Sequence, residues 1–287
     1  MKQRTFVVTG VSSGLGHEVA RQLVAGGHRV LGVARPSQRA RDAVSGIAAP
    51  GSLIFIGADL STLDGVRSAA KAIRSHVDAV DGLINTASAV HSTRVVTTDG
   101  LEYSFALNYL SYFHLTGLLL PLLAHTGTGR VINISAGPVP WAKLNFDDLQ
   151  MARRYNGARA YIQSKLADVM FTYALAERLR GSGVTANAVH PGVVKTNLGR
   201  DTSRGLLRLF GAISHWFAEP VEAAAARIVS IAVDEAYKAV SGAFFANGRA
   251  SRSSRHSYDR ANCERLWAES VRMLKHDPFE HASPTTD

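Results

Sequence analysis

The chain has 287 residues, 46% of them hydrophobic, enough for one large core and short for two independent enzyme domains. Its formal charge of +9 is spread along the chain except for the knot GRASRSSRH at 248–256, which reads as a solvated loop, so no nucleic-acid surface is expected. One cysteine, Cys263, excludes an intramolecular disulfide and any cysteine-cluster metal site. The 11 histidines show no metal-ligand spacing, and a cytoplasmic setting without a bound metal is expected.

The first ten residues, MKQRTFVVTG, reach Gly10 after a short apolar run and lack the apolar core of a signal peptide. Seven short β-branched runs follow one another along the chain: RTFVVTG, HRVLGVAR, GSLIFIGADL, VDGLINTAS, GRVINISAG, GVTANAVHPG and SGAFFANG. Segments with helical apolar spacing lie between them at 14–26, 62–78, 101–124 and 155–181. This alternation predicts a doubly wound α/β domain over residues 1–287, a seven-stranded parallel sheet with helices on both faces. The longest apolar run, LTGLLLPLLA at 115–124, is about half of what a bilayer requires. It contains Pro121 and reads as a buried helix end, so no membrane span is expected.

Two segments interrupt the alternation, one at 138–157 and one at 195–220. Both leave from the carboxyl ends of predicted strands, where ligands bind in open α/β sheets. The second carries Leu206, Leu207, Leu209, Phe210, Trp216 and Phe217 and is expected to be a lid over a small apolar substrate. The polar end of the chain, 276–287, is expected to be mobile.

After the first strand, TGVSSGLG places Gly10, Ser12, Ser13, Gly14, Leu15 and Gly16 at the opening of a helix. Glycines there allow a tight turn and close backbone approach, and the helix start holds a pyrophosphate. At the end of the second strand, where a carboxylate would receive the ribose 2′-hydroxyl of NAD, the chain has VARPSQR. Arg35, with Arg39 and Arg41 near, suits a 2′-phosphate, so the expected cofactor is NADP(H).

These features resemble the short-chain dehydrogenase/reductase family, whose TGxxxGxG spacing is met by Thr9, Gly10, Gly14 and Gly16. The resemblance covers nearly the whole chain and implies a Rossmann fold. It places Asp59 and Leu60 of GADL at the adenine, and Pro191, Gly192, Val194 and Thr196 of HPGVVKT near the nicotinamide. Asn85 and Ala87 of NTAS also fall at the cofactor, with Ser88 where the family has glycine. FDDL at 146–149 and the ending SGAFFAN…ERLWAES look most like the retinol dehydrogenase-like branch, without its usual membrane anchor. The helices that pair in family dimers are present, so a homodimer is expected.

In AYIQSK, Tyr161 and Lys165 stand four apart on one helix face. A free phenol titrates near 10, so a tyrosine acting as acid–base needs positive charge beside it, which Lys165 supplies while holding the nicotinamide ribose. Asn108 matches the family asparagine that anchors a proton-relay water, and reads equally as a buried helix asparagine. The family has paired serines after the fifth strand, the second of them catalytic. Counting back from Tyr161, that position falls on Ala136, and Ser135 is the other one. Successive strand residues face opposite ways, so Ser135 is expected to point away from the substrate. The chain thus reads as an NADP(H)-dependent oxidoreductase acting on a lipophilic carbonyl or secondary alcohol. A conjugated C=C reductase, and a non-redox cyclase, isomerase or dehydratase retaining NADP(H), are the alternatives that Ala136 and Ser88 leave open.

Overall fold

The computed structural model describes residues 2–47, 52–193 and 219–280. The seven predicted strands form at Thr5–Thr9 (β1), Arg29–Ala34 (β2), Leu53–Gly57 (β3), Gly82–Asn85 (β4), Arg130–Ile134 (β5), Thr185–His190 (β6) and Phe244–Ala246 (β7). All seven pair in parallel, in the order β3-β2-β1-β4-β5-β6-β7. An eighth strand, Arg249–Ser251 (β8), joins β7 antiparallel, so the sheet has eight strands rather than seven. Asn247 and Gly248, both at positive φ (50° and 77°), make the two-residue turn between them, a backbone shape that Asn-Gly favours. The basic knot at 248–256 therefore begins as a strand and continues into a short 3-10 turn at Arg255–Tyr258, correcting its reading as a loop.

Alternate strand residues divide two cores. Val7, Leu31, Leu83 and Val131 face one side, against helices Leu63–His76 (α3), Tyr103–His125 (α4), Gly157–Arg178 (α5) and Arg260–Leu274 (α7). Phe6, Val8, Ile84 and Ile132 face the other, against Gly14–Ala25 (α1), Gln38–Ser45 (α2) and Val221–Val233 (α6). The strand order reverses between β1 and β4, which sets the carboxyl ends of these two strands side by side at the switch point where dinucleotides bind in such sheets.

Helix α4 is long and apolar enough to cross a membrane by length and composition, yet 78% of its most apolar window is buried within the fold, the packing of a core helix. Pro121 does not end it. The proline lies on the exposed side, where a freed carbonyl can turn to water, and the helix runs on to His125. Within α4, Ala106–Leu110 is a π-helical segment, a widening often found at functional sites. Phe113 of α4, Phe171 of α5 and Trp267 of α7 form an aromatic cluster that Phe279 completes. Phe279 is thus buried within the stretch expected to be mobile; 281–287 lie outside the described residues.

Candidate active site

The turn after β1 is built against β4. Thr9 is buried, and its Oγ1 accepts from the backbone N–H groups of Thr86 (2.9 Å) and Ala87 (3.1 Å). Gly10 needs its φ of +74°, and its N–H donates to the Val33 carbonyl at 2.7 Å. Gly16 allows a close approach instead, because a Cβ there would lie 2.7 Å from the Gly10 carbonyl oxygen and 2.8 Å from that of Thr9. Five helices have a side-chain N-cap, from Ser37 (α2), Thr62 (α3), Glu102 (α4), Asn156 (α5) and Asp259 (α7). At α1 the Ser13 side chain makes no capping bond, and the first turn holds no acidic residue. Its leading N–H groups and positive dipole end are therefore available to an anion, beside Ser12 and Leu15. Arg35 is exposed at the end of β2, with Arg39 and Arg41 exposed beyond it. These groups fit a phosphorylated dinucleotide.

Leu60 is buried beside the next strand end, and Asp59 gives one carboxylate oxygen, Oδ1, to the Ser61 N–H (3.0 Å) and hydroxyl (2.7 Å). Asn85 is fully buried, and its side-chain amide donates to Asn133 Oδ1 (2.9 Å) and Thr116 Oγ1 (3.3 Å), tying β4 to β5 and α4. Asn85 Oδ1 is buried without a hydrogen-bond partner among the described residues.

The segment after β4 is clamped residue by residue. The Ala87 carbonyl accepts from the Tyr112 hydroxyl at 2.9 Å. Asn108, on the π segment, accepts the Ala89 N–H at 2.8 Å and donates to the Ala89 carbonyl (2.9 Å) and to Ser164 Oγ (3.0 Å). Both donors of its side-chain amide are spent, so that amide joins the loop to α5, while Oδ1 keeps a second lone pair. Ser88 lies between the clamps, its Oγ buried without a hydrogen-bond partner among the described residues.

Ser135 follows β5 and commits its hydroxyl to α5. It is 4% exposed, and its hydroxyl donates to the Lys165 carbonyl at 2.6 Å. Ala136 is half-buried and brings no hydroxyl. Next to it, a Cβ on Gly137 would come within 3.1 Å of His190 Nε2. His190 ends β6, its Nδ1 is buried without a partner among the described residues, and burial holds its pKa below the usual imidazole range, which keeps the ring neutral. Sequence reasoning passed over His190; its place as the last strand residue before Pro191 and Gly192 was the available signal. Gly192, at φ +100°, packs where a Cβ would meet Asn247 Oδ1 at 2.8 Å, and the Pro191 carbonyl accepts from Arg227 at 2.8 Å. Val194, Thr196 and the expected lid as far as residue 218 lie outside the described residues.

Tyr161 is half-buried on α5, one turn before the contact between this helix and the end of β5. Burial first, and the negative Asp168 second, push its phenol up to about 12. Lys165 is only 3% exposed. Its Nζ donates to the Ile134 carbonyl at 2.8 Å and to Asp168 Oδ2 at 2.9 Å, 4.9 Å from the Tyr112 ring centroid. Its charge is thus matched to Asp168, a partner that sequence reasoning missed, although Lys165 and Asp168 stand at a helical i,i+3 spacing. Against Ser135–Gly137 lies a cavity of about 20 Å³, the room of a single water, walled by Val139, Ala142, Ile162, Leu166, Val169 and Phe244. Lys165, Ser253 and Ser254 also line it, so its wall is mixed, and it is too small to hold a lipophilic substrate alone. The 138–157 segment that forms part of its wall is sewn to α5, with the Asn145 N–H donating to Gln163 Oε1 (3.1 Å) and Gln163 Nε2 to the Leu149 carbonyl (2.9 Å).

The family model described as short chain dehydrogenase matches residues 4–206. Human retinol dehydrogenase 13 is 36% identical over 279 residues, covering 94% of this chain and 84% of that protein. Mouse retinol dehydrogenase 14 is 35% identical over 290 residues, 96% and 86%. Among solved structures, an uncharacterized protein from Mycobacterium Paratuberculosis superposes with a TM-score of 0.76 at 31% identity, covering 96% of this chain and 94% of that one. The Pseudomonas aeruginosa RhlG/NADP active-site complex superposes with a TM-score of 0.67 at 26% identity, covering 88% of this chain and 96% of that one.

Proposed function

The chain belongs to the short-chain dehydrogenase family, in its retinol dehydrogenase-like branch, and on that premise we propose that it is an NADP(H)-dependent oxidoreductase acting on a lipophilic carbonyl or the matching alcohol. The observation that carries the cofactor choice is the uncapped, acid-free start of α1 beside the exposed Arg35. A 2′-phosphate finds a guanidinium there, whereas a bare ribose hydroxyl finds no carboxylate acceptor at the same strand end. One solved relative is itself an NADP complex.

Bound there, the cofactor supplies or receives the hydride; the chain supplies the proton and the geometry. Gly10, Gly14 and Gly16 with Ser12, Ser13 and Leu15 hold the pyrophosphate. Arg35 takes the 2′-phosphate, and Lys165 the nicotinamide ribose. Tyr161 Oη gives its proton to the substrate oxygen in reduction and takes it back in oxidation. Asn108 keeps the 87–89 loop and α5 in fixed relation, so that Tyr161 meets the substrate at a constant distance. Cys263, buried and free, suits a reducing cytoplasmic setting.

A second reading is favoured by one observation: Ser135 is committed to the Lys165 carbonyl and Ala136 has no hydroxyl, so β5 offers no donor to a developing oxyanion. Chemistry that needs no such donor, C=C reduction or a non-redox rearrangement, fits that rim. The test is a substrate screen with NADPH and NADH, opened with retinal because of the relatives' names. Turnover of a carbonyl that Tyr161→Phe abolishes, with NADPH binding unchanged by fluorescence titration, is the expected result. Full activity in Tyr161→Phe refutes the acid–base assignment.

A further inference from the structure

Lys165 cannot do two things from one position. On the reading above it touches the nicotinamide ribose, yet its side chain is 3% exposed, with Nζ turned inward to the Ile134 carbonyl and Asp168 Oδ2. To reach a ligand in the cleft the ammonium has to leave that position. Asp168 is fully buried, and its second oxygen, Oδ1, has no hydrogen-bond partner among the described residues. The other titratable groups around Asp168 are Tyr161 on its own helix and Tyr109 and Tyr112 on α4, and burial keeps all three phenols protonated and neutral. From β5 it is approached through the Ile134 carbonyl that shares Lys165, which brings no positive charge. Once Lys165 leaves, the carboxylate is an isolated charge in a dry interior. Such a charge is removed by protonation rather than tolerated.

We propose that Asp168 is a positioning residue that stores Lys165 inside the free enzyme, and that cofactor binding, which draws Lys165 out, is accompanied by transfer of one proton from solvent to the Asp168 carboxylate. This rests on the assignment of NADP(H) as cofactor. The balance is simple: the ion pair breaks, one O–H bond forms on Asp168, and one proton leaves the buffer for each cofactor bound. Paired with Lys165, Asp168 is already held up to about 7 by burial, so the carboxylate is ionised in the free enzyme at pH 8 and has a proton to gain. Above pH 7 the dissociation constant of NADP⁺ should rise up to tenfold per pH unit, the slope for one linked proton. The 2′-phosphate does not confuse this window, because its second ionisation lies near 6.

The experiment is isothermal titration of NADP⁺ into the full-length protein at pH 8, in HEPES and in Tris, whose heats of ionisation differ widely. Uptake approaching one proton per NADP⁺ is expected in the wild type and close to none in Asp168→Asn, with binding retained. Infrared difference spectra of the wild type alone give a second readout, the carbonyl stretch of a protonated carboxylic acid appearing on NADP⁺ addition at pH 8. Tight binding without proton uptake, or equal uptake in wild type and Asp168→Asn, overturns the storage role and leaves the cofactor assignment standing. Absence of the acid band in the wild type has the same consequence if the variant fails to fold. Failure of NADP⁺ to bind at all removes the cofactor assignment and this role with it.

Discussion

Replacing Ser135 by alanine tests whether β5 holds its alternation through the active site. The hydroxyl makes one hydrogen bond, 2.6 Å to the Lys165 carbonyl, at a site 4% exposed. That carbonyl belongs to the interior of α5, where the helix supplies its own N–H partner, so the substitution leaves no acceptor stranded and costs only the net worth of one bond, about 1 kcal/mol. For a chain of 287 residues the unfolding entropy is about 0.6 kcal/mol per kelvin, and the melting temperature should fall by about 2 °C. With a carbonyl substrate and NADPH, kcat should change by less than about twofold, since the hydroxyl is already spent on the Lys165 carbonyl. The companion variant, Ala136→Ser, adds a donor where charge develops and should raise kcat/KM by about 10-fold or more in a ketone reductase. A loss of about 100-fold in kcat for Ser135→Ala, with the melting temperature within a few degrees of wild type, would refute the register argument. An unchanged or lower rate in Ala136→Ser would instead move the site toward chemistry that uses no oxyanion donor.

Arg35→Asp should invert the cofactor preference, weakening NADPH and strengthening NADH in fluorescence titrations; equal affinities for both cofactors in the unmodified protein would remove the charge-based reading. Acid stability should depend on His114, which is fully buried with neither ring nitrogen partnered among the described residues, packs on His276, and is pushed down to about 3, chiefly by burial. Unfolded, it takes a proton below about 6.5, so it lowers stability as pH falls from about 6.5 toward 3, by up to about 1.4 kcal/mol per pH unit. His114→Leu should shift the acid-unfolding midpoint, followed by circular dichroism, to lower pH, and an unmoved midpoint counts against this account.

The seven parallel strands and most of the helices were legible because the β-branched runs are short and evenly interleaved with helical spacing. β8 was missed although its signal was present: Asn247–Gly248 between two short runs is a hairpin turn, and the arginines around it drew attention to charge instead of backbone shape. The glycine turn between β1 and α1 was readable because it depends on one local segment. Asn85 and Asn108 were not, since what their amides bind is set by β5, α4 and α5 meeting in three dimensions, and a π segment has no composition of its own. Lys165 was found by its spacing to Tyr161, but its direction was decided by Asp168, whose burial no single-sequence pattern reports.

At the foot of the long excursion after β6, the Glu219 N–H donates to the Val193 carbonyl at 2.9 Å, and Arg227 of α6 holds both the Glu219 carboxylate and the Pro191 carbonyl. The two ends of that excursion are therefore tied by the framework, independently of what lies between them. Closing a stretch of chain between ends that are already fixed costs little more as it grows, about 0.6 kcal/mol for a doubling of its length. Chimaeras carrying a relative's residues between Val193 and Glu219 should therefore fold on this sheet with the turn after β1 unchanged, and a melting temperature within a few degrees of the parent checks it.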